Sequence, residues 1–235
     1  MILRPQLVNA WRDPLAQRRV WHIALPLILS NISVPLVGLV DTAVIGHMDG
    51  AHHLGAVAVG STLFTFVLWA TGFLRMGTTG FAAQACGSAD GDQLRRILLQ
   101  AIWLAVLISA LVWLFRTPLL NMGLHYLQSS EALLEQARAY FQIRLISLPA
   151  ALANFVLIGW FIGAQNSRVP FAMLLTVNLT NMLLDVLLVV GLDLGAQGAA
   201  WASVCGDVLG LLLGLALVRS TLRRYPGAFD WVRGL

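Results

Sequence analysis

Two carboxylates interrupt stretches of chain that are otherwise built for hydrocarbon. Asp41 lies in PLVGLVDTAVIGHM, residues 35–48, and no residue between Arg19 and Asp41 carries a full charge. Asp185 closes NLTNMLLD, in which Asn178, Asn181 and Asp185 recur at i, i+3 and i+7 and so share one helical face. An aspartate at the centre of a membrane helix costs roughly 2.5–3.5 kcal/mol on insertion scales, and intramembrane acids commonly line an ion or substrate pathway. Ser203 and Asn154 add a hydroxyl and an amide from two further apolar runs. Carboxylate, amide and hydroxyl oxygens are hard donors, suited to H+ or to a Na+-like cation. Asn and Ser alone also serve as interhelical glue, so the pair of acids carries more weight than the amides. Asp207, beside Gly206, has no evident basic partner at its depth, and is read either as a pathway group or as a packing feature. Pro26 and Pro35 should kink the first apolar run, because proline removes a backbone hydrogen bond and clashes one turn back. They are candidate hinges.

Elements that could hold these residues follow from composition. The chain is 58% hydrophobic and 11% charged, against about 25% charged for soluble domains, and its mean hydropathy is +0.78. About 20 apolar residues span the hydrocarbon core as a helix. Six runs qualify, at about 21–45, 54–74, 97–115, 141–163, 170–192 and 196–218, flanked by segments 1–20 and 219–235. They are too long and too uniformly apolar for barrel strands. The expected class is therefore all-α and polytopic, with a bundle of six transmembrane helices.

All 15 basic residues are arginine. With the N-terminus cytoplasmic, twelve of them (Arg4, Arg12, Arg18, Arg19, Arg75, Arg95, Arg96, Arg168, Arg219, Arg223, Arg224 and Arg233) fall on the inner side. Arg116 and Arg138 remain outside, with Arg144 close to the outer end of the fourth run, so the positive-inside rule puts both termini in the cytoplasm. The pI of about 9.8 is then a topology signal, and no nucleic acid is expected. Tryptophans such as Trp21, Trp69, Trp113 and Trp160 fall near the ends of the runs and read as interface anchors. Cys86 and Cys205 are isolated, and His47, His52 and His53 match no metal-ligand spacing, so no metal or cofactor is expected. GTTGFAAQACGSADGD, residues 77–92, contains no phosphate-binding loop of the GxxxxGK[ST] type. No catalytic residue is assigned, and the chain is not read as an enzyme.

LPLILSNISVPLVGLVDTAVIGHM resembles the first helix of multidrug and toxic compound extrusion (MATE) transporters. GTTGFAAQACGSAD and GAQNSRVPFAMLLTVNLTNMLLDVLLVVG are similar to that family's segments after the second helix and across the fifth, and the pattern is nearest the DinF-like branch. The resemblance covers about residues 15–220. It implies a cation-coupled antiporter of twelve helices in two pseudo-symmetric lobes that rock about a central cavity, here the N-terminal six-helix lobe only. On that pattern Asp41, Asn181 and Asp185 match the family's cation site, with Na+ possible there as well as H+. Ser203 stands where the family more often has Thr, and Asn154 matches a polar position on the fourth helix. The implied partners are the lipid bilayer, an organic cation or amphipathic substrate, and a second six-helix lobe, either a missing C-terminal half or another copy. The implied location is a bacterial-type inner membrane. A lipid-linked flippase of related architecture and a non-transporting structural lobe remain as alternatives, and an intramembrane aspartyl protease using Asp185 and Asp207 is a minor one.

Overall fold

A computed structural model describes residues 51–127 and 131–227, together with Pro14, Gln17, Arg18, Trp21, Leu25, Ile28 and Leu39, which are helical. Asp41, Pro26 and Pro35 lie outside the described residues. The described chain is all helical: α1 (Ala51–Ala70), α2 (Phe73–Gly87), α3 (Gly91–Leu114), α4 (Arg116–Leu127), α5 (Glu131–Gly163), α6 (Arg168–Asp185) with a π-helical turn at Val186–Gly191, and α7 (Gly195–Leu222). Five helical stretches among these residues are long and apolar enough to cross a membrane: Val57–Gly87, Gly91–Leu114, Leu134–Gly163, Arg168–Gly191 and Gly195–Leu222. The protein is a polytopic all-α membrane protein.

Several boundaries differ from the sequence reading. The run expected at 54–74 continues as helix to Gly87, broken only by a turn at Thr71 and Gly72. GTTGFAAQACG is small rather than strongly apolar, so hydropathy fades there although the backbone does not leave the helix. Arg75 consequently sits inside a span and not in an inner loop. At the other side, α5 starts at Glu131, ten residues before the expected 141. Arg144 therefore lies well inside the bundle.

Helix α5 is the axis of the lobe. Its spanning window is 78% buried within the protein, against 17–33% for the other spans, and it packs on α1, α2, α3 and α7. Trp160, expected at a membrane interface, is instead fully buried and donates its indole N–H to the Leu94 carbonyl at 2.9 Å. Trp69 and Trp113 are exposed; Trp113 stands beside the end of its helix as an anchor should, whereas Trp69 lies within the Val57–Gly87 span. Close approach to α5 and α7 relies on glycine. A Cβ at Gly159 would sit 2.4 Å from the Arg75 carbonyl oxygen of α2. On α7, Gly206, Gly210 and Gly214 recur every four residues, and a Cβ at each would meet Val177, Val177 and Met173 of α6 at 2.8, 2.4 and 2.7 Å. Without a hydrophobic drive between helices in lipid, such small-residue seams are what permit backbones to approach.

One end of the bundle gathers arginines. Arg95 is buried and donates to the Gly91 and Tyr225 carbonyls at 2.7 and 3.0 Å. Asn166 donates to Thr221 at 2.9 Å, joining the α5–α6 turn to the end of α7. The chain after α7 thus folds back over the α2–α3 turn, where Cys86 Sγ and Tyr225 Oη share a hydrogen bond at 2.7 Å. Burial, and next the Cys86 hydrogen bond, push the Tyr225 phenol up to about 12. Arg96, Arg168, Arg219, Arg223 and Arg224 belong to the same end of the bundle, on or beside these turns.

Candidate functional site

Helix α6 carries its polarity inward. Asn181 is 5% and Asp185 1% exposed, whereas Leu179, Leu183 and Leu187 on the opposite side are exposed. That inverts the usual amphipathic pattern, as expected where lipid is the solvent and the bundle interior is the polar phase. Asn178 is half-buried beside them.

The α6–α7 seam sets the register. Val177 lies against Gly206 and Gly210, and Leu188 against Gly198. Between those levels Asn181 Nδ2 donates to Ser203 Oγ at 3.1 Å. Asp185 is one turn further along α6, about 26 Å from Arg168 at 1.5 Å per residue, and so towards the end away from the arginine cluster. The amide oxygen of Asn181 is buried with no hydrogen-bond partner among the described residues. A buried carboxylate, an open amide oxygen and a hydroxyl therefore lie within two helical turns.

Directly after Asp185 the helix widens into the π-helical turn, with Leu192 N–H donating to the Leu187 carbonyl at 3.0 Å. Such turns are frequent at functional sites. Nothing in VLLVVG announces one. The turn arises where Gly198 lets α7 approach the Leu188 carbonyl, to 3.1 Å from a Cβ placed on that glycine.

Asp207 forms a different cluster. Arg144 Nη1 lies 2.7 Å from Asp207 Oδ2, with side-chain exposures of 11% and 13%. Ser147 Oγ donates to the same oxygen at 2.9 Å. The guanidinium also sits 4.0 Å over the buried Phe64 ring of α1. The sequence reading found no basic partner for Asp207 because it placed Arg144 near the outer end of its helix. With α5 beginning at Glu131, Arg144 and Asp207 are at one level, and a basic partner exists.

Asn154 does not join Asn181 and Ser203. Its Nδ2 donates to the Asp207 backbone carbonyl at 2.9 Å, and it faces Gly210. Its contact is with the α7 backbone near the middle of the bundle. Asp185 and Asp207 do not face one another either. Gly206 packs at the level of Val177, eight residues or about 12 Å of helix below Asp185. That separation and the Arg144 counter-charge leave no aspartyl protease dyad. Among the described residues no group of three or more His, Cys, Asp or Glu could hold a metal ion.

The MatE family model matches residues 26–187. DNA damage-inducible protein F of Escherichia coli (strain K12) is 50% identical over 170 residues, which are 72% of this chain and 37% of that protein. A probable multidrug resistance protein NorM of Synechococcus sp. is 28% identical over 162 residues, 69% of this chain and 34% of its own. Two solved structures share the fold. A MATE in the straight conformation and an outward-facing multidrug resistance MATE transporter of the MOP superfamily each give a TM-score of 0.81 at 18% identity, covering 92% of this chain and 47% of theirs. The chain thus spans about a third of the curated relatives it matches and about half of the solved structures. With half its residues shared over most of its length with one such protein, and the family model covering the segment that carries Asn178, Asn181 and Asp185, this chain belongs to the MatE family.

Proposed function

We propose that the chain is the N-terminal lobe of a cation-coupled multidrug exporter, and that Asp185, Asn181 and Ser203, with Asp41, form its coupling-ion site. The observation that carries the reading is Asp185, 1% exposed and one turn from an amide already engaged to Ser203 on the facing helix. H+ or Na+ enters this site, and its arrival and release bias the two orientations of the lobe against a second lobe of similar build. Asn178 lies on the approach face, and Pro26 and Pro35 make the first helix able to bend. Exchange of one H+ for one monovalent organic cation moves no net charge, so only the pH gradient drives it, at about 1.4 kcal/mol per unit. A second inward proton adds that amount again, and roughly 2.3 kcal/mol per 100 mV of membrane potential. Two acids make the second proton feasible. The protein sits in a bacterial inner membrane with the arginine-rich end and both termini in the cytoplasm.

A lipid-linked phosphate carrier fits less well. Such a carrier needs open cationic charge facing its cavity, and Arg144, the candidate for it, is already committed to Asp207 and Phe64. The test is flux of an organic cation from proteoliposomes holding the full-length transporter under an imposed pH or Na+ gradient. Asp185→Asn and Asp41→Asn should each abolish gradient-driven efflux while leaving the protein folded. Unchanged efflux in either variant refutes the assignment of that residue.

A further inference from the structure

Between α2 and α3, away from the α6–α7 polar cluster, lies a cavity of about 720 Å³. Its walls change character along its length. Phe73, Phe81 and Leu104 provide an apolar trough open at the surface, each of them exposed. Gly77 lies in its floor, and a Cβ there would meet nothing within 4 Å, so the trough is empty space and not a packed seam. At the turn end it is closed by Asp90, Gln93 and Arg96. Asp90 is already used, accepting the Gln93 backbone N–H at 2.8 Å as the cap of α3. Arg95 next door is bonded to the Gly91 and Tyr225 carbonyls. Arg96 is half-buried and makes no hydrogen bond or ion pair among the described residues.

We propose that this groove binds a membrane phospholipid, with its phosphate on Arg96 and one acyl chain along the Phe73–Phe81 and Leu104 walls. Dimensions agree. Gln93 to Leu104 is 11 residues, about 16 Å of helix, and one leaflet of the hydrocarbon core is about 15 Å. Arg96 stands at the headgroup level, at the arginine-rich end of the bundle. A guanidinium is matched to phosphate by its planar fork of donors. The same uncommitted positive charge disfavours an organic cation, which separates this groove from any substrate path. A helix of another lobe could cover the apolar wall but would leave Arg96 without an anion.

The test uses the full-length protein in vesicles of phosphatidylethanolamine and phosphatidylglycerol, with a small share of phosphatidylglycerol bearing a photoactivatable group on its tail. After illumination the labelled peptides are mapped by mass spectrometry. Label should concentrate on residues 73–81 and 97–104 relative to the lipid-facing Leu183 and Leu187 of α6. Arg96→Gln should cut groove labelling about five-fold, the equivalent of about 1 kcal/mol for one basic residue at the surface, and Arg96→Lys should restore most of it. Gly77→Leu puts a side chain into the trough at a position where its Cβ meets nothing within 4 Å, and should cut labelling to a similar extent. The label on α6 should stay unchanged in all three, which reports that the fold is intact. Equal labelling of both faces, or indifference to both Arg96→Gln and Gly77→Leu, overturns the proposal. So does a groove that takes no label while α6 does, which would mean that protein covers it. Displacement of the label by a transported organic cation would assign the groove to substrate and likewise overturn it.

Discussion

Asp185 and Asp207 are buried aspartates on neighbouring helices, yet their surroundings differ in kind. Asp207 is met by a guanidinium at 2.7 Å and a serine hydroxyl at 2.9 Å, and the guanidinium is capped by the Phe64 ring. That cluster is electrically closed, drawing on α1, α5 and α7. Beside Asp185 the two helices α6 and α7 contribute neutral groups, Asn181 and Ser203, and one amide oxygen of Asn181 remains open among the described residues. The contrast teaches how one bundle separates two uses of a buried charge. A counter-charge fixed in place ties three helices together. The oxygen donors beside Asp185 are instead neutral, as the proposed coupling-ion site requires.

The comparison breaks first at transport. Asp185→Asn should reduce gradient-driven efflux to background with little loss of thermal stability, measured by proteoliposome flux beside a melting curve. Asp207→Asn should do the reverse in emphasis. It strands Arg144 inside the bundle, at a cost of about 3–5 kcal/mol, read as a large fall in melting temperature and in membrane yield. The double variant Arg144→Met/Asp207→Leu should recover most of that stability, because an apolar replacement of a buried pair is often neutral. Efflux lost in the stable double variant would show that the Arg144–Asp207 pair serves transport as well.

Smaller effects sharpen the contrast. Gly210→Val should push α6 from α7 at Val177, about one turn beyond Asp207 on α7, and cost about 1–3 kcal/mol by overpacking. Both efflux and stability should fall together, unlike either aspartate variant. Ser203→Ala removes the Asn181 partner and should cost about 0.6 kcal/mol, the average for interhelical hydrogen bonds in membranes, with a partial reduction in efflux. Ser203→Thr should retain activity. The smallest effect lies outside the membrane. The Tyr225 phenol is raised in the folded protein from 10.0 to about 12, so the stability it contributes is whole below pH 10 and is lost as pH climbs towards 12. Tyrosinate absorbance of the wild type minus Tyr225→Phe should titrate near the upper value, and a midpoint at the ordinary one would show the clasp over Arg95 to be open.

Much of the polar cluster on α6 and α7 is legible in the chain because hydrocarbon makes polar residues conspicuous. Asn178, Asn181 and Asp185 fall on one face by spacing alone, and Ser203 comes to the right level once the fifth and sixth runs are antiparallel. Asn154 misled, because an amide reads the same whether it serves an ion or a neighbouring carbonyl. Asp207 misled because its partner depends on where α5 begins, and amphipathic helix continues beyond the apolar window that hydropathy detects. Trp160 illustrates the same limit. Its place near the end of a run suggested an interface, and only the packing of α3 on α5 shows that its N–H is satisfied indoors.

The sequence by itself determined the all-helical, membrane-spanning class, the gathering of arginines at the α2–α3, α5–α6 and post-α7 segments, and the inward face of α6. Those follow from local chemistry, the cost of exposing backbone or charge to lipid and the 3.6-residue period. Tertiary structure decided the Arg144–Asp207 pairing, the diversion of Asn154 to the α7 backbone, the π-helical turn after Asp185 and the open trough beside Arg96. Each depends on which residues of separate helices reach the same depth, and glycine contacts only a few ångströms wide set that register.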